Sequence, residues 1–231
     1  MDVKAVIFDI GETLIYYNNY LNWQALYSPA LKNVMAACDF ACDEQADKRA
    51  QNILTKYNTR INPREYEVNS NDIFTEILND WQIDINKLQA AKQAFYDYFQ
   101  NGASLYDDTE STLRSLADMD IKIGALSDVA YGMDNEYALK DLTPIMKYFD
   151  ICLTSTDVGY RKPNKKGYEL CLKYLGVPNN QAIYVGNEEK DITGANNAGM
   201  VSVLINRESD KKKFSQNFTI RSLSEILSLI K

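Results

Sequence analysis

The stretch VIFDIGETLIYY, residues 6–17, places a carboxylate directly after an apolar run, at Asp9, and a glycine two positions later, at Gly11. Two other apolar runs end in small or polar residues, one at Ser127-Asp128 and one at Gly186-Asn187. The chain has no histidine, which is the commonest general acid or base in proteins. Chemistry at these positions therefore has to use carboxylates, hydroxyls, lysine or a hard metal ion.

The elements that must position these residues follow an alternating pattern. After Tyr106, short apolar runs at 122–126, 151–153, 182–185 and 201–205 alternate with helical patterns near 109–119, 165–174, 192–198 and 222–229. Short apolar strands separated by helices predict a parallel sheet with both faces covered, which is an α/β, Rossmann-like three-layer fold. The first strand is predicted over residues 3–10.

Residues 16–105 differ from the rest of the chain. Apolar residues recur there at spacings of three and four, and no convincing strand interrupts them. We expect an all-helical insertion at 16–105 and a core domain formed by 1–15 and 106–231. Because ligands bind beyond the carboxyl ends of the strands in open parallel sheets, Asp9, Ser127-Asp128 and Asn187 should meet in one crevice.

Composition limits the partners of the chain. Its 231 residues are 45% hydrophobic and can bury a sizeable core. The net charge of −7 argues against a nucleic acid or an anionic membrane surface as partner. No apolar run approaches the roughly 20 residues that span a bilayer, and no secretory pattern opens the chain, so we expect a cytoplasmic protein. The four cysteines have no paired spacing and are expected to be buried thiols, and the sequence does not indicate an oligomeric state.

Four motifs occur in a recognisable order. They are FDIGETL (Phe8 to Leu14), LSD with Ser127, GYRKP with Lys162, and VGNEEKDITGANNAGM (Val185 to Met200). Together they resemble the haloacid dehalogenase superfamily, in the branch that carries a helical cap inserted after the first motif. The resemblance covers essentially the whole chain. It implies phosphoryl transfer in which an aspartate attacks phosphorus, an aspartyl phosphate forms and water hydrolyses it, with Mg²⁺ present.

The resemblance also assigns roles to single residues. Asp9 matches the nucleophile, and Ser127 matches a hydroxyl that binds a phosphoryl oxygen, with the backbone at Asp128 as a further donor. Lys162 matches the lysine that offsets the charge of both phosphate and nucleophile. From the residues alone, Asp9 could instead be a turn carboxylate and Ser127 an ordinary turn serine.

The same comparison predicts a magnesium site. It would consist of Asp9, the backbone carbonyl of Gly11, Asn187 and Asp191. From its position before Ile192, Asp191 could also simply cap the helix that follows, and the two roles are compatible. Arg161 is expected to be a surface or cap-facing residue rather than a catalytic one.

Two positions depart from the family pattern. Gly11 stands where phosphatases of the family carry the aspartate that protonates the leaving group and activates water, which is typically worth about 10² to 10⁴ in rate. Glu12 could replace that acid, or it could simply face the cap or be solvated. Asn187 stands where the family has a metal-binding aspartate, so the site has one negative charge fewer. Glu188 or Glu189 could compensate for that charge, or they could simply be solvated.

Two functions are compatible with this pattern. The first is a Mg²⁺-dependent phosphohydrolase or phosphoryl transferase for a small phosphorylated metabolite, slow or selective for acyl or aryl phosphates. The second is a catalytically silent protein that uses the pocket to bind a phosphorylated ligand or a protein partner. Tyr16, Tyr17 and Tyr20 lie nearest in sequence to the turn after Asp9 and are candidates for shaping the pocket, although helical spacing makes core packing the default for aromatic residues in this block.

Overall fold

The structure is a computed structural model that describes residues 1–17, 23–99, 102–208 and 213–230. Tyr20 lies outside these residues. The described residues form eight strands: β1 (Ala5–Phe8), β2 (Ile15–Tyr17), β3 (Ala103–Leu105), β4 (Lys122–Ser127), β5 (Ile151–Thr154), β6 (Ala182–Gly186), β7 (Val201–Ile205) and β8 (Phe218–Ile220).

Six of these strands form one parallel sheet in the order β5-β4-β1-β6-β7-β8. The central strand β1 pairs with β4 on one side and β6 on the other, so that Phe8 lies opposite Ala125 and Val185. The carboxyl ends of these three strands therefore meet at one edge. The predicted parallel α/β fold is confirmed.

Helices cover both faces of this sheet. The described helices are α1 (Tyr27–Ala37), α2 (Glu44–Tyr57), α3 (Ser70–Asp80), α4 (Leu88–Phe99), α5 (Thr109–Asp118), α6 (Asn135–Ala138), α7 (Ser155–Val158), α8 (Lys166–Leu175), α9 (Glu189–Asn197) and α10 (Ile226–Ile230). Alternate residues of β1 enter different cores: Val6 and Phe8 pack with residues of α5 and α10, while Ala5 and Ile7 pack with residues of α8 and α9. Because β1 is buried on both faces, it reads in sequence as a continuous apolar run.

Helices α1–α4, which we call the helical segment, bury a third hydrophobic core. Its buried aromatic residues include Phe74, Phe95 and Tyr96, whose rings meet edge to face. The expectation that residues 16–105 contain no strand is wrong at both ends of that range. Strands β2 and β3 lie there and pair antiparallel, with Ile15 opposite Leu105. Three-residue strands paired across so long a stretch of chain leave too little periodicity to recognise.

Smaller differences separate the predicted and observed elements. Strand β1 is shorter than predicted, β8 was not predicted, and α9 begins at Glu189 rather than Ile192. All four cysteines are free, and Cys42 is exposed, contrary to the expectation of burial. In the part of the chain that the structure describes, no helix is both long and apolar enough to cross a membrane.

Candidate active site

Asp9, Lys162 and Asp191 form a buried charged cluster at the carboxyl edge of the sheet. Asp9 follows β1, Lys162 precedes α8, and Asp191 lies in the first turn of α9. The Nζ atom of Lys162 lies 2.6 Å from Oδ1 of Asp9 and 2.6 Å from Oδ1 of Asp191. The side chains of Lys162 and Asp191 are 2% and 1% exposed, so this lysine bridges two carboxylates away from solvent.

Two neutral oxygens complete the surroundings of Lys162. Its Nζ lies 3.2 Å from the Tyr184 hydroxyl and 3.4 Å from the Leu126 carbonyl, and that hydroxyl donates to the same carbonyl over 3.0 Å. Burial opposes the charge of Lys162, but Asp191 and Asp9 hold its pKa well above the ordinary value. Burial raises the pKa of Asp9 to about 6, although Lys162 counteracts the rise.

Asp191 also fixes the turn between β6 and α9. Its Oδ2 accepts hydrogen bonds from the backbone N–H groups of Asn187 and Glu188, at 3.1 and 2.9 Å. A Cβ at Gly186 would lie 2.5 Å from the Asp191 side chain, so this approach requires glycine. Asp191 therefore caps the start of the helix and holds Lys162 at the same time.

Ser127 and Asp128 lie at the end of β4, beside Asp9. The Ser127 hydroxyl is half-buried and donates weakly to the Asp128 carbonyl over 3.4 Å. The Asp128 carboxylate accepts from the backbone N–H of Lys162 over 3.0 Å and pairs with Lys190 over 3.2 Å. Although burial has the opposite effect, Lys162 and Lys190 lower the pKa of Asp128. Because this carboxylate is an anion, it accepts the hydrogen bond that positions Lys162 but would repel a phosphate. Only the backbone N–H of Asp128 could therefore bind one.

The opposite side of Asp9 is more loosely bonded. The Thr13 hydroxyl lies 3.5 Å from Oδ2 of Asp9 and 3.5 Å from Oδ1 of Asn187. Sequence reasoning missed Thr13, although it lies inside the FDIGETL motif and is fully buried. It missed Tyr184 as well, because a tyrosine within a strand reads as core.

The turn after Asp9 has room at Gly11. A Cβ built at Gly11 would meet Cε2 and Oη of Tyr17 at 3.6 and 3.7 Å, which is ordinary contact. Glu12 has a φ of 55°, and its carboxylate accepts from the Tyr106 hydroxyl over 2.9 Å and from the Tyr17 N–H over 3.4 Å. These bonds direct the carboxylate of Glu12 toward strands β2 and β3. Burial and nearby carboxylates raise the pKa of Tyr17, so its hydroxyl stays protonated.

A second set of buried charges joins the helical segment to the loop before Lys162. Arg161 is buried, pairs with Glu67 and donates to the Val129 carbonyl over 2.7 Å. The backbone N–H of Arg161 donates to the Glu65 carbonyl over 2.7 Å, and that of Glu67 donates to the Gly159 carbonyl over 3.0 Å. Arg161 therefore faces the helical segment, as expected in part, but it is not a surface residue.

The oxygen donors around Asp9 are of the type that Mg²⁺ prefers. Asp9 and Asn187 each direct one side-chain oxygen toward Thr13, while both oxygens of Asp191 are engaged by Lys162 and by backbone N–H groups. Among the described residues, no three acidic, cysteine or histidine side chains are grouped closely enough to hold a metal ion by themselves. The oxygens of Asp9 and Asn187 are therefore suited in their chemistry to hold such an ion together with backbone carbonyls.

A cavity of about 660 Å³ adjoins the charged cluster. Its lining includes Asn187, Lys190 and Phe214, and Arg60 of the helical segment reaches to within 3.8 Å of Glu188 at its edge. Such a cavity has the size of a small-molecule site and contains both charged and aromatic groups.

Known proteins resemble this chain over almost its full length. A glyceraldehyde 3-phosphate phosphatase from Methanopyrus kandleri is 29% identical over 207 residues, which cover 89% of this chain and 84% of that protein. The crystal structure of a 2-haloacid dehalogenase from Pseudomonas syringae superposes with a TM-score of 0.70 at 20% identity, covering 99% and 98% of the two chains. A HAD phosphatase from Thermococcus onnurineus superposes with a TM-score of 0.65 at 23% identity over 99% and 98%.

The match to a protein family is equally extensive. The model of the haloacid dehalogenase-like hydrolases matches residues 3–199, a range that contains the first three motifs, the fourth motif up to Gly199, and the buried cluster around Lys162. This chain belongs to the haloacid dehalogenase-like hydrolase family.

Proposed function

We propose that this protein is a Mg²⁺-dependent phosphatase or phosphoryl transferase that acts through an aspartyl phosphate on Asp9. The observation that carries the proposal is the position of the buried Lys162 ammonium, 2.6 Å from both Asp9 and Asp191. A phosphate monoester repels a carboxylate nucleophile, so a fixed positive charge at this point is what the attack requires. Phosphatases among the relatives support the same reaction class.

Each residue then has a defined part. Lys162 holds Oδ1 of Asp9, which leaves Oδ2 to attack phosphorus. The Ser127 hydroxyl and the backbone N–H of Asp128 bind phosphoryl oxygens, and Asp191 keeps Lys162 charged and in place. A magnesium ion held by Asp9, the Gly11 carbonyl and Asn187, with Asp191 contributing through water, would supply further neutralisation of the phosphate charge.

The turn at Gly11 sets the expected rate and selectivity. Because Gly11 has no side chain to protonate a leaving group, esters with weakly basic leaving groups, such as aryl and acyl phosphates, should react fastest. Without a carboxylate base to activate water, the aspartyl phosphate should be long-lived. Exposure to acetyl phosphate and Mg²⁺ should therefore add one phosphoryl group to the intact mass of the protein.

The substrate is proposed to be a small phosphorylated metabolite. The cavity beside Asn187 and Lys190 would accept its organic part, and the relative from Methanopyrus kandleri is named for a small sugar phosphate. The helical insertion at 16–105 would act as a cap over the core formed by 1–15 and 106–231, and its movement would control access.

A second function is favoured by Gly11 and Asn187 together. Loss of an acid and of a metal-binding charge in one site is what a protein that binds a phosphorylated ligand without turnover would tolerate. Such a protein would be stabilised by the ligand, since binding to the native state raises apparent stability.

The test compares the wild type with Asp9→Asn. Phosphate release from 4-nitrophenyl phosphate is measured with excess Mg²⁺, and Asp2→Asn, an exposed carboxylate at the chain start, serves as the matched control. Activity that disappears in Asp9→Asn and survives in Asp2→Asn supports phosphoryl transfer. Equal background rates in all three proteins, with thermal stabilisation by phosphate compounds, support the binding function instead.

A further inference from the structure

The Tyr17 side chain borders the position that a Cβ at residue 11 would take. The Oη atom of Tyr17 lies 3.7 Å from the position of a Cβ at Gly11, and the ring atom Cε2 lies 3.6 Å from it. Tyr17 as a whole residue is 36% exposed, and Asp9 is one of the carboxylates close enough to raise the pKa of its hydroxyl. A tyrosine hydroxyl is therefore present beside the position that lacks a carboxylate.

Local hydrogen bonds hold Tyr17 against this turn. Its backbone N–H donates to Oε1 of Glu12 over 3.4 Å, and the N–H of Glu12 donates to the Ile15 carbonyl over 2.7 Å. Tyr17 also lies opposite Ala103 in the pairing of β2 with β3. These bonds fix the main chain of Tyr17 relative to the turn, so that its side chain begins beside residue 11.

We propose that the Tyr17 hydroxyl donates the proton to the leaving-group oxygen. This inference rests on the proposed phosphoryl transfer and identifies the residue that takes over part of the missing acid's role. It assigns Tyr17 as a catalytic residue, and it extends the range of substrates to esters whose leaving groups need protonation.

The step balances without a further reactant. An oxygen of Asp9 forms a bond to phosphorus as the bond from phosphorus to the leaving oxygen breaks. The electron pair of that bond stays on the leaving oxygen, which takes the proton from Tyr17. The resulting phenolate then recovers a proton from water.

This assignment makes a chemical distinction between substrates. A strongly basic alkoxide leaving group gains much from a proton donor, whereas a 4-nitrophenolate or an acyl leaving group departs readily without one. Loss of the Tyr17 hydroxyl should therefore harm alkyl phosphates selectively. A purely structural role of Tyr17 would affect both classes alike.

The experiment compares Tyr17→Phe with the wild type on glycerol phosphate and on 4-nitrophenyl phosphate, with excess Mg²⁺. Tyr16→Phe is the matched control, because neighbouring residues of a strand point to opposite faces and the Tyr16 ring packs on Tyr106 at a centroid distance of 5.0 Å. We expect kcat/KM for the alkyl ester, which reports phosphorylation of Asp9 and not the slow hydrolysis of the aspartyl phosphate, to fall by roughly 10²-fold in Tyr17→Phe, within the range of general acid catalysis, and kcat/KM for the aryl ester to change little. Tyr16→Phe should resemble the wild type on both.

The double variant Gly11→Asp with Tyr17→Phe adds a second measurement. It places a carboxylic acid in the same region, and it should restore kcat/KM for the alkyl ester while kcat/KM for the aryl ester stays nearly constant; kcat should rise for both esters, because the carboxylate also activates water. Equal losses on both esters in Tyr17→Phe, or no loss on either, would overturn the role of Tyr17 and leave the proposed phosphatase intact. Turnover of neither ester that depends on Asp9 would overturn the phosphatase itself, and the Tyr17 assignment with it.

Discussion

The two sides of Asp9 are built differently. On one side, Lys162 and Asp191 are almost completely buried, and every contact of the ammonium group is 3.4 Å or shorter. On the other side, Thr13 makes only long contacts of 3.5 Å, and Gly11 leaves room for a side chain. In the proposed reaction the first side would neutralise the phosphate charge and the second would be where a proton reaches the leaving group, so the first requirement is met by more side chains than the second.

The side of Asp9 that contains Lys162 and Asp191 also stabilises the fold. A lysine this deeply buried stays charged because two carboxylates face it, and removal of one partner from a buried ion pair typically costs about 3–5 kcal/mol. On the Gly11 side, no buried charge depends on a partner of that kind among the described residues. Substitutions on the two sides should therefore differ in their effect on stability as well as on rate.

The largest effect is expected for Lys162→Met. Loss of the charge beside the nucleophile should reduce turnover of 4-nitrophenyl phosphate by roughly 10³-fold, as for other fixed groups that stabilise developing charge. Asp9 would then face Asp191 without a cation, so the pKa of Asp9, already raised to about 6 by burial, should rise further above the unfolded value of about 3.9. When the pKa of a carboxyl group is higher in the folded than in the unfolded protein, the folded protein becomes less stable as the pH rises between these two values. The variant should therefore melt at a lower temperature at pH 8 than at pH 5.

The control for this prediction is Lys173→Met, which removes an exposed lysine from the end of α8. Thermal melts at both pH values and phosphate release are measured for the two variants and the wild type. A Lys162→Met protein with the same pH dependence of melting as Lys173→Met would contradict the pairing of Lys162 with Asp9 and Asp191.

A gain of function is expected on the other side of Asp9, for Gly11→Asp. The space beside Tyr17 admits a Cβ at ordinary contact distance, so the fold should tolerate the substitution. A carboxylic acid at this position would protonate leaving groups and activate water, and we expect turnover of glycerol phosphate to rise by about 10- to 10²-fold, toward the lower end of the usual effect of an acid or base.

Gly11→Asn separates acid catalysis from shape, because asparagine has the same size but no proton to exchange at neutral pH. It should not raise the rate, and it should not shorten the life of the phosphorylated protein detected by intact mass. An equal gain in Gly11→Asn and Gly11→Asp would show that the turn limits the reaction through its shape rather than through its missing acid.

The convergence of strand ends predicted that Asp9, Ser127-Asp128 and Asn187 lie close together, whereas Lys162 and Asp191 were added only by the resemblance of the motifs to a known family. The sequence indicated Tyr17 only as a candidate for shaping the pocket, not as a proton donor, and it gave no signal for Glu67, the partner of Arg161. Both reach the site through contacts between distant segments, the pairing of β2 with β3 and the bonds between Glu67 and the loop before Lys162. The periodicity of a short segment cannot predict contacts with a distant segment. A buried apolar strand that ends in a carboxylate, by contrast, can be recognised from the segment itself.

The smallest effect is expected for Asn187→Asp, which changes the charge between the two sides. The Asn187 side-chain oxygen and Oδ2 of Asp9 both lie 3.5 Å from the Thr13 hydroxyl, so a carboxylate at 187 would add a negative charge close to the nucleophile. A hard cation gains from that charge, and we expect Mg²⁺ to bind about tenfold more tightly, which corresponds to about 1.4 kcal/mol. The apparent affinity is measured from the rise of the melting temperature with Mg²⁺ concentration.

Asn197→Asp, at the exposed end of α9, adds the same charge away from the site. An equal increase in Mg²⁺ stabilisation for both variants would mean that the ion responds to net charge and not to the oxygens around Asp9. In that case Asn187 would not be a ligand of the proposed metal site.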